Sequence, residues 1–502
     1  MMSEGWFVTD DPLNCVPSKV RLEPTSHIHL SAIGGGAMSG LALLLRARGY
    51  RVTGSDDLLY PPISTLLERL EIPVRRGFGP ENLDPPPALV VVGNKLTRSN
   101  PEAQAVLQRQ LPYVSLPQAL RELFLNERLP VVVAGTHGKT TTTAMIAWIL
   151  DATGQRPSFL VGGEVRHWQC NARWDTGRHF VIEGDEYDSA FFDKRPKFLH
   201  YAPALVVLNA VEFDHADIYR DLDHVKSAFR ALVGSLSTDT PLVVCKDFPH
   251  ATDVARTHSQ VLTFGFSPEA EWRVANLRDA GFLEFDIVHG REQVVRAKLP
   301  VMGAMNARNA LGAVVAVSQL GVPLLEAVQA LESFPGVARR QEMIGEFGGV
   351  VLIDDFAHHP TAVAATLDAV QARFPGRRVW ALFEPRSNTS RRKVFQQEYA
   401  QALERADRVI VGGVLRKATD AVAEEELFSP TQLVASLEER GVPARYFDDP
   451  DVIAVAVQRN VRRGDVVVIM SNGDFGGLRS KLAAALSERA NAPRSLRVKR
   501  EV

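Results

Sequence analysis

Cysteine is nearly missing from this chain: Cys15, Cys170 and Cys245 are the only three among 502 residues, and none stands in a CxxC spacing. That excludes a disulfide framework and makes reduced thiols of a cytoplasmic protein the expected state. Net charge is nearly missing too. With 57 Lys and Arg against 59 Asp and Glu, a formal balance of −2 offers no basic field for nucleic acid or an anionic membrane. Long apolar runs are absent; segments such as 88–92 and 466–470 fall far short of the ~20 residues that cross a bilayer. They read as buried parallel strands. Between Met1 and Lys19, Asp10, Asp11 and two prolines stand where a signal peptide needs an unbroken apolar core, so export is not expected. An intact GxGxxG is missing as well. Read from Gly35, the loop after the first apolar strand has Ala37 in place of the middle glycine, which disfavours an NAD site.

What is present begins at Val131, where an apolar strand runs into Gly135-Thr136-His137-Gly138-Lys139-Thr140. A strand, a glycine-bounded turn and a helix from Thr140 to Leu150 gather backbone N–H groups around a polyphosphate, with the helix dipole favouring its charge. Lys139 suits the β/γ-phosphates and the Thr140 hydroxyl suits Mg²⁺. The loop is shorter than the usual P-loop, because only two residues separate Gly135 from Gly138.

At 502 residues the chain is too long for one core and suggests about three domains. A βαβ start runs from His27 through Gly34-Gly35-Gly36-Ala37-Met38-Ser39-Gly40 to Ser55-Asp56. Asp56 stands where an acid holds a ribose or base, and equally where a solvated Asp ends a strand. The pattern breaks near 126–130. A third start follows Arg339-Arg340: strands ending at Asp354-Asp355, at Phe383 and at Met470 each feed a polar loop, as in a small α/β domain. The boundaries expected are 1–126, 127–340 and 341–502, with an unpatterned basic tail from Ala490. In the middle part, two strands deliver Glu183-Gly184-Asp185-Glu186 and Asn209 to Asp217. Acids at strand ends beside a phosphate loop are where Mg²⁺ ligands belong; Glu183 and His215 are chosen, and Asp185, Glu186, Asp188 and Asp217 are read as a solvated rim.

Together these motifs resemble the Mur ligases of peptidoglycan metabolism. The resemblance rests on Thr136 to Thr141, Glu183 to Glu186, Asp214-His215, Asn306 to Asn309, Asp355 to Pro360 and the first glycine-rich loop, and spans about 27–490. It implies a three-domain α/β fold: a Rossmann-like UDP-sugar domain, a central P-loop ATPase domain and a Rossmann-like domain for the incoming amino acid or peptide. It implies ATP contacts at Gly135, Thr136, His137, Gly138, Lys139, Thr140, Thr141, Asn306, Asn309 and Asp355, with Arg339 or Arg340 closing from the junction. UDP-sugar contacts would fall at Gly35, Gly36, Ala37, Met38, Ser39, Asp56 and Asn94. Two Mg²⁺ ions would be held by Thr140, Glu183 and His215, with Lys139 beside the transferring phosphoryl group. The stretches 187–201, 212–218 and 383–392 resemble the branch that joins the murein tripeptide L-alanyl-γ-D-glutamyl-meso-diaminopimelate to UDP-N-acetylmuramate. Arg386, Ser387, Asn388 and Arg391 would then meet the peptide's carboxylates, a task suited to guanidinium groups. The rivals are the branch adding L-alanine and, from another class, a nucleotide-switched UDP-sugar sensor. Lys226 is read as a surface lysine without a carbamate, Asp474 departs from the glycine usual in the branch, and no protein partner or membrane insertion is expected.

Overall fold

The computed structural model describes residues 22–61, 63–415 and 426–491. Cys15, the N-terminal extension and the tail from 492 lie outside the described residues; Ala490 itself belongs to the last helix, Leu478–Asn491.

Three main sheets follow one another along the chain. The first has five parallel strands in the order Val74–Arg76, Arg51–Asp56, His27–Ser31, Leu89–Val92, Tyr113–Ser115. The chain reverses its direction of winding between His27–Ser31 and Leu89–Val92, so a crevice opens at their carboxyl ends. The glycine-rich loop and the helix Gly36–Ala47 start there.

The second sheet has ten strands. Seven run parallel: Trp272–Ala280, Val261–Gly265, Leu242–Cys245, Leu205–Leu208, Leu129–Ala134, His179–Gly184 and Ser158–Val165. Their cores, such as Val131 to Val133 and Leu205 to Leu208, are wholly buried, as expected of strands covered on both faces. Cys170–Arg173 adds an antiparallel strand at one edge, and at the other Phe282–His289 and Glu292–Leu299 extend Trp272–Ala280 as an antiparallel meander. Leu205–Leu208, Leu129–Ala134 and His179–Gly184 are immediate neighbours, so the phosphate loop lies between the two acid-bearing loops.

The third sheet runs Glu342–Phe347, Val350–Asp355, Val466–Met470, Val379–Phe383, Arg408–Val411, Ala444–Tyr446, parallel except for its first strand. It is docked on the second. Arg373, from the helix Pro360–Arg373, pairs with Asp279 and donates to Val301 O at 2.7 Å. Among the described residues no helix is long and apolar enough to cross a membrane.

Candidate active site

Gly138 caps the helix Lys139–Ala152 at φ +80°, a left-handed conformation that only glycine adopts freely. A Cβ there would also lie 2.6 Å from Asn309 Oδ1 and 2.9 Å from Asn209 Nδ2. The loop is thus packed from outside by two asparagines. Asn306 and Asn309 are buried, and Asn309 Nδ2 donates to Asn306 Oδ1 at 3.2 Å, while Asn306 Nδ2 donates to Met302 O and Gln341 Oε1. Thr136 N donates to Ala210 O at 2.8 Å, tying the loop to the next strand end.

Lys139 Nζ lies 2.9 Å from Glu186 Oε2 and 2.6 Å from Gly135 O. Burial alone would lower the Lys139 pKa, but Glu186, Asp185 and Glu183 outweigh it and hold the ammonium above its ordinary value. Glu186 is not part of a solvated rim, contrary to expectation. It is 1% exposed and accepts from Lys139 and, at 3.0 Å, from His215 Nε2. Thr140 Oγ1 donates to Glu183 Oε2 at 3.2 Å. Burial and the neighbouring Asp185 raise the Glu183 pKa, against the Gly162 amide, Arg340 and Lys139. Two hard oxygens beside crowded acids are a donor set that fits Mg²⁺.

His215, expected at the metal, stands against Glu186 at the neighbouring strand end. Burial disfavours its charge, but Glu186 and Asp214 prevail and raise its pKa to about 9. Its Nε2 faces Glu186 Oε1 at 3.0 Å, and a metal-binding histidine keeps such a bond on one ring nitrogen while it ligates through the other. Lys226 is a partly buried lysine, with Nζ 2.6 Å from Asp253 Oδ2, rather than a free surface one.

The junction closes over the loop from the third sheet. Arg340 Nη2 donates to Thr140 Oγ1 at 2.8 Å. Arg339 turns the other way, donating to Ser471 O and Gly473 O, so of the two arginines Arg340 meets the phosphate loop. Asp355 accepts from Gln341 N at 2.7 Å and Ala357 N at 2.6 Å; burial is the main cause that raises its pKa to about 6. The Asn209 to Asp217 loop is the docking face: Phe213 O accepts from His359, Asp214 from Thr389 at 2.7 Å, and Asp217 from Asn388 at 2.6 Å.

This arrangement is matched in known proteins. Residues 27–128 match the model described as "Mur ligase family, catalytic domain", residues 133–317 the Mur ligase middle domain, and residues 339–473 the "Mur ligase, glutamate ligase domain". The chain is 40% identical, over 93% of its length and 99% of the relative's, to the UDP-N-acetylmuramate–L-alanyl-γ-D-glutamyl-meso-2,6-diaminoheptandioate ligase of Escherichia coli K12. The chain belongs to the Mur ligase family. A murein peptide ligase from Psychrobacter arcticus 273-4 superposes with a TM-score of 0.71 and 34% identity, covering 93% of this chain and 99% of that one. A UDP-N-acetylmuramate–alanine ligase from Thermotoga maritima gives 0.77 at 23% identity, over 92% and 99%, a likeness of fold alone. Mur ligases are ATP-dependent amide ligases and generally require Mg²⁺.

In this Mur ligase the glycine-rich loop holds Gly35, Gly36 and Ala37 within solvent reach, whereas Met38 sits in the core. Ser39 is buried, with its hydroxyl donating to Gly36 O and its amide to Gly35 O, so it shapes the loop. Asp56 Oδ2 accepts from Gly34 N at 2.9 Å and Oδ1 from Lys95 Nζ at 2.9 Å, which makes it first of all a brace of that loop. Asn94 is exposed at the crevice. In the loop after Val379–Phe383, Arg391 is buried and donates to Leu415 O and Asn388 Oδ1, a brace rather than an open carboxylate receptor. Ser387 Oγ bonds Ser390, and Arg386, 26% exposed, reaches toward Glu384 at 3.6 Å. Sequence reasoning missed Glu186, Lys95 and Thr389. The acid run gave no sign of which member turns inward, and Lys95 and Thr389 are marked by contacts remote in sequence.

Proposed function

We propose that the chain joins the murein tripeptide to UDP-N-acetylmuramate in the cytoplasm, with ATP as the activating substrate. The observation that carries this is the convergence of Lys139, the Thr140–Glu183 pair and the Glu186–His215 pair on three neighbouring strand ends, with Arg340 opposite. A bare carboxylate is a poor electrophile, so amide formation begins with transfer of the γ-phosphoryl group to the sugar's lactyl carboxylate. Lys139 stabilises the charge that builds on the phosphoryl oxygens, and the loop amides hold the polyphosphate in line. Asn309, packed against Gly138, and Asn306, bonded to Asn309, form the wall offered to the adenine. Thr140 and Glu183 would hold Mg²⁺, which neutralises phosphate oxygens when bound. A second ion would be held at His215, through the ring nitrogen that does not face Glu186.

The tripeptide's α-amine then attacks the acyl phosphate and phosphate leaves. Arg386, Ser387 and Asn388 line the loop that would receive the peptide, while Arg391 holds it in shape. Gly35, Gly36, Ala37 and Asn94 are the surface offered to the UDP-sugar, with Asp56 and Lys95 beneath. The kinship to a tripeptide-adding relative supports this acceptor over L-alanine. ADP release measured with UDP-N-acetylmuramate and each acceptor in parallel tests the proposal: turnover with the tripeptide is expected, and substantial turnover with L-alanine alone would overturn it.

A further inference from the structure

His137 is a phosphate-loop side chain whose surroundings the chemistry above does not use. Its Nε2 lies 2.8 Å from Glu212 Oε2, and its ring sits 4.4 Å, centroid to centroid, from that of His359. The three residues come from three places: the phosphate loop, the docking loop after Leu205–Leu208, and the start of the helix Pro360–Arg373 in the third sheet's unit. Phe395 closes the far side, its ring 4.8 Å from His359 and 6.0 Å from Phe213. Two histidines and a glutamate invite comparison with a zinc site. The hydrogen bonds speak against one. His359 Nδ1 accepts from Thr361 N at 3.3 Å and its Nε2 donates to Phe213 O at 3.1 Å, so both ring nitrogens are already engaged. Burial lowers the His359 pKa to about 3, in keeping with a neutral ring used as a helix cap and a docking surface.

We infer that His137, Glu212 and His359 couple the phosphate loop to the docked third domain, so that His137 is a positioning residue whose loop takes its transfer-ready shape only when His359 is seated. The physical argument is one of contact. The Glu212 carboxylate stands at one edge of the His137 ring, and the His359 ring covers part of what remains. When the third domain swings away, His359 leaves with it and the His137 ring loses a packing partner, while Glu212, on the same domain as the loop, stays. The loop's freedom therefore depends on domain position even when no atom of the third domain touches the nucleotide. The kinetic side of this inference rests on the ligase reading; the coupling itself does not.

A double-substitution cycle tests it. His359→Asn keeps a helix-capping side chain but removes the ring, and His137→Asn shortens the other partner. Each single change is expected to lower kcat roughly tenfold, with the KM for UDP-N-acetylmuramate unchanged and the double variant within about twofold of the weaker single. Multiplication of the two losses, to roughly a hundredfold, would overturn the coupling. Hydrogen exchange supplies the readout that needs no turnover: amides of residues 135–140 should exchange faster in His359→Asn than in the wild type. Unchanged exchange would overturn the inference whether or not the chain is a ligase. So would retention of one zinc equivalent after dialysis against zinc, lost in Glu212→Gln, because that result would make the cluster a metal site. Absence of ligase turnover in the wild type would sink the functional reading and leave the exchange result to decide the coupling.

Discussion

Taking the ammonium of Lys139 away leaves Glu186 buried with His215 as its remaining close cation, and leaves a transferring phosphoryl group without its nearest positive charge. Lys139→Ala should therefore lower ADP release by about 10²–10³-fold. UDP-sugar binding, read by calorimetry, should stay near the wild type because the sugar surface lies on a different sheet; equal loss of both would contradict that separation. His215 makes a second, pH-dependent prediction. Its folded pKa of about 9 lies above the ordinary 6.5, so the Glu186–His215 pair stabilises fully below about pH 6.5, and that contribution disappears as pH rises through 9. The shift corresponds to at most about 3 kcal/mol. The wild-type melting temperature should fall across this window more steeply than that of His215→Asn, and identical slopes would remove the ion pair from the account. That Lys139, Thr140 and Glu183 lie together was legible in the sequence, because Gly-Lys-Thr after one apolar strand and an acid after another mark neighbouring strand ends. Glu186 was not, since burial within Glu183 to Asp188 is decided by the contacts of Lys139 and His215, remote in sequence.

At the scale of elements, strands and their polar ends were readable wherever both faces are covered, as in Leu89–Val92 or Val466–Met470, because such runs are apolar throughout. The extension Trp272–Ala280, Phe282–His289 and Glu292–Leu299 was not. Its alternation is hidden by charges on both faces, Arg278 exposed and Asp279 turned inward to Arg373, and by a register shift between Ala275 and Arg278. The turn after Val466–Met470 yields a paired prediction about Asp474. That residue is exposed at φ −81°, a conformation any residue adopts, so the departure from glycine costs nothing in the fold. Gly473 is the constrained neighbour, because a Cβ there would lie 2.1 Å from Arg386 Nε and 2.5 Å from its Cζ. Asp474→Gly should leave activity within about twofold and stability within about 1 kcal/mol. Gly473→Ala should displace Arg386 and raise the acceptor KM by roughly tenfold, about 1.4 kcal/mol of lost binding. Equal effects of the two substitutions in steady-state kinetics and thermal melts would refute this assignment of roles.

For the whole molecule the decisive contacts join parts that are far apart in the chain, which is why the sequence left Arg339 and Arg340 as alternatives. Only the docked arrangement shows Arg340 reaching Thr140 at 2.8 Å while its planar group lies 4.6 Å from the centre of the Phe356 ring. The Phe356 amide is bonded to Arg339 O, so the guanidinium is held by the third domain and offered to the second. On the proposed function, Arg340 would meet the charge of phosphoryl transfer only where the third domain is docked on the second. An interaction made late in this way lowers kcat when removed, with less effect on ground-state binding. Arg340→Ala should therefore reduce kcat by about 10²-fold, with ATP affinity changed by no more than about threefold and UDP-sugar affinity unchanged. Arg340→Lys keeps the charge but not the flat surface that rests on Phe356, so it should recover only part of the loss. If ATP affinity collapses in Arg340→Ala while kcat holds, Arg340 belongs to nucleotide capture, and closure of the third domain over the phosphate loop precedes ATP binding.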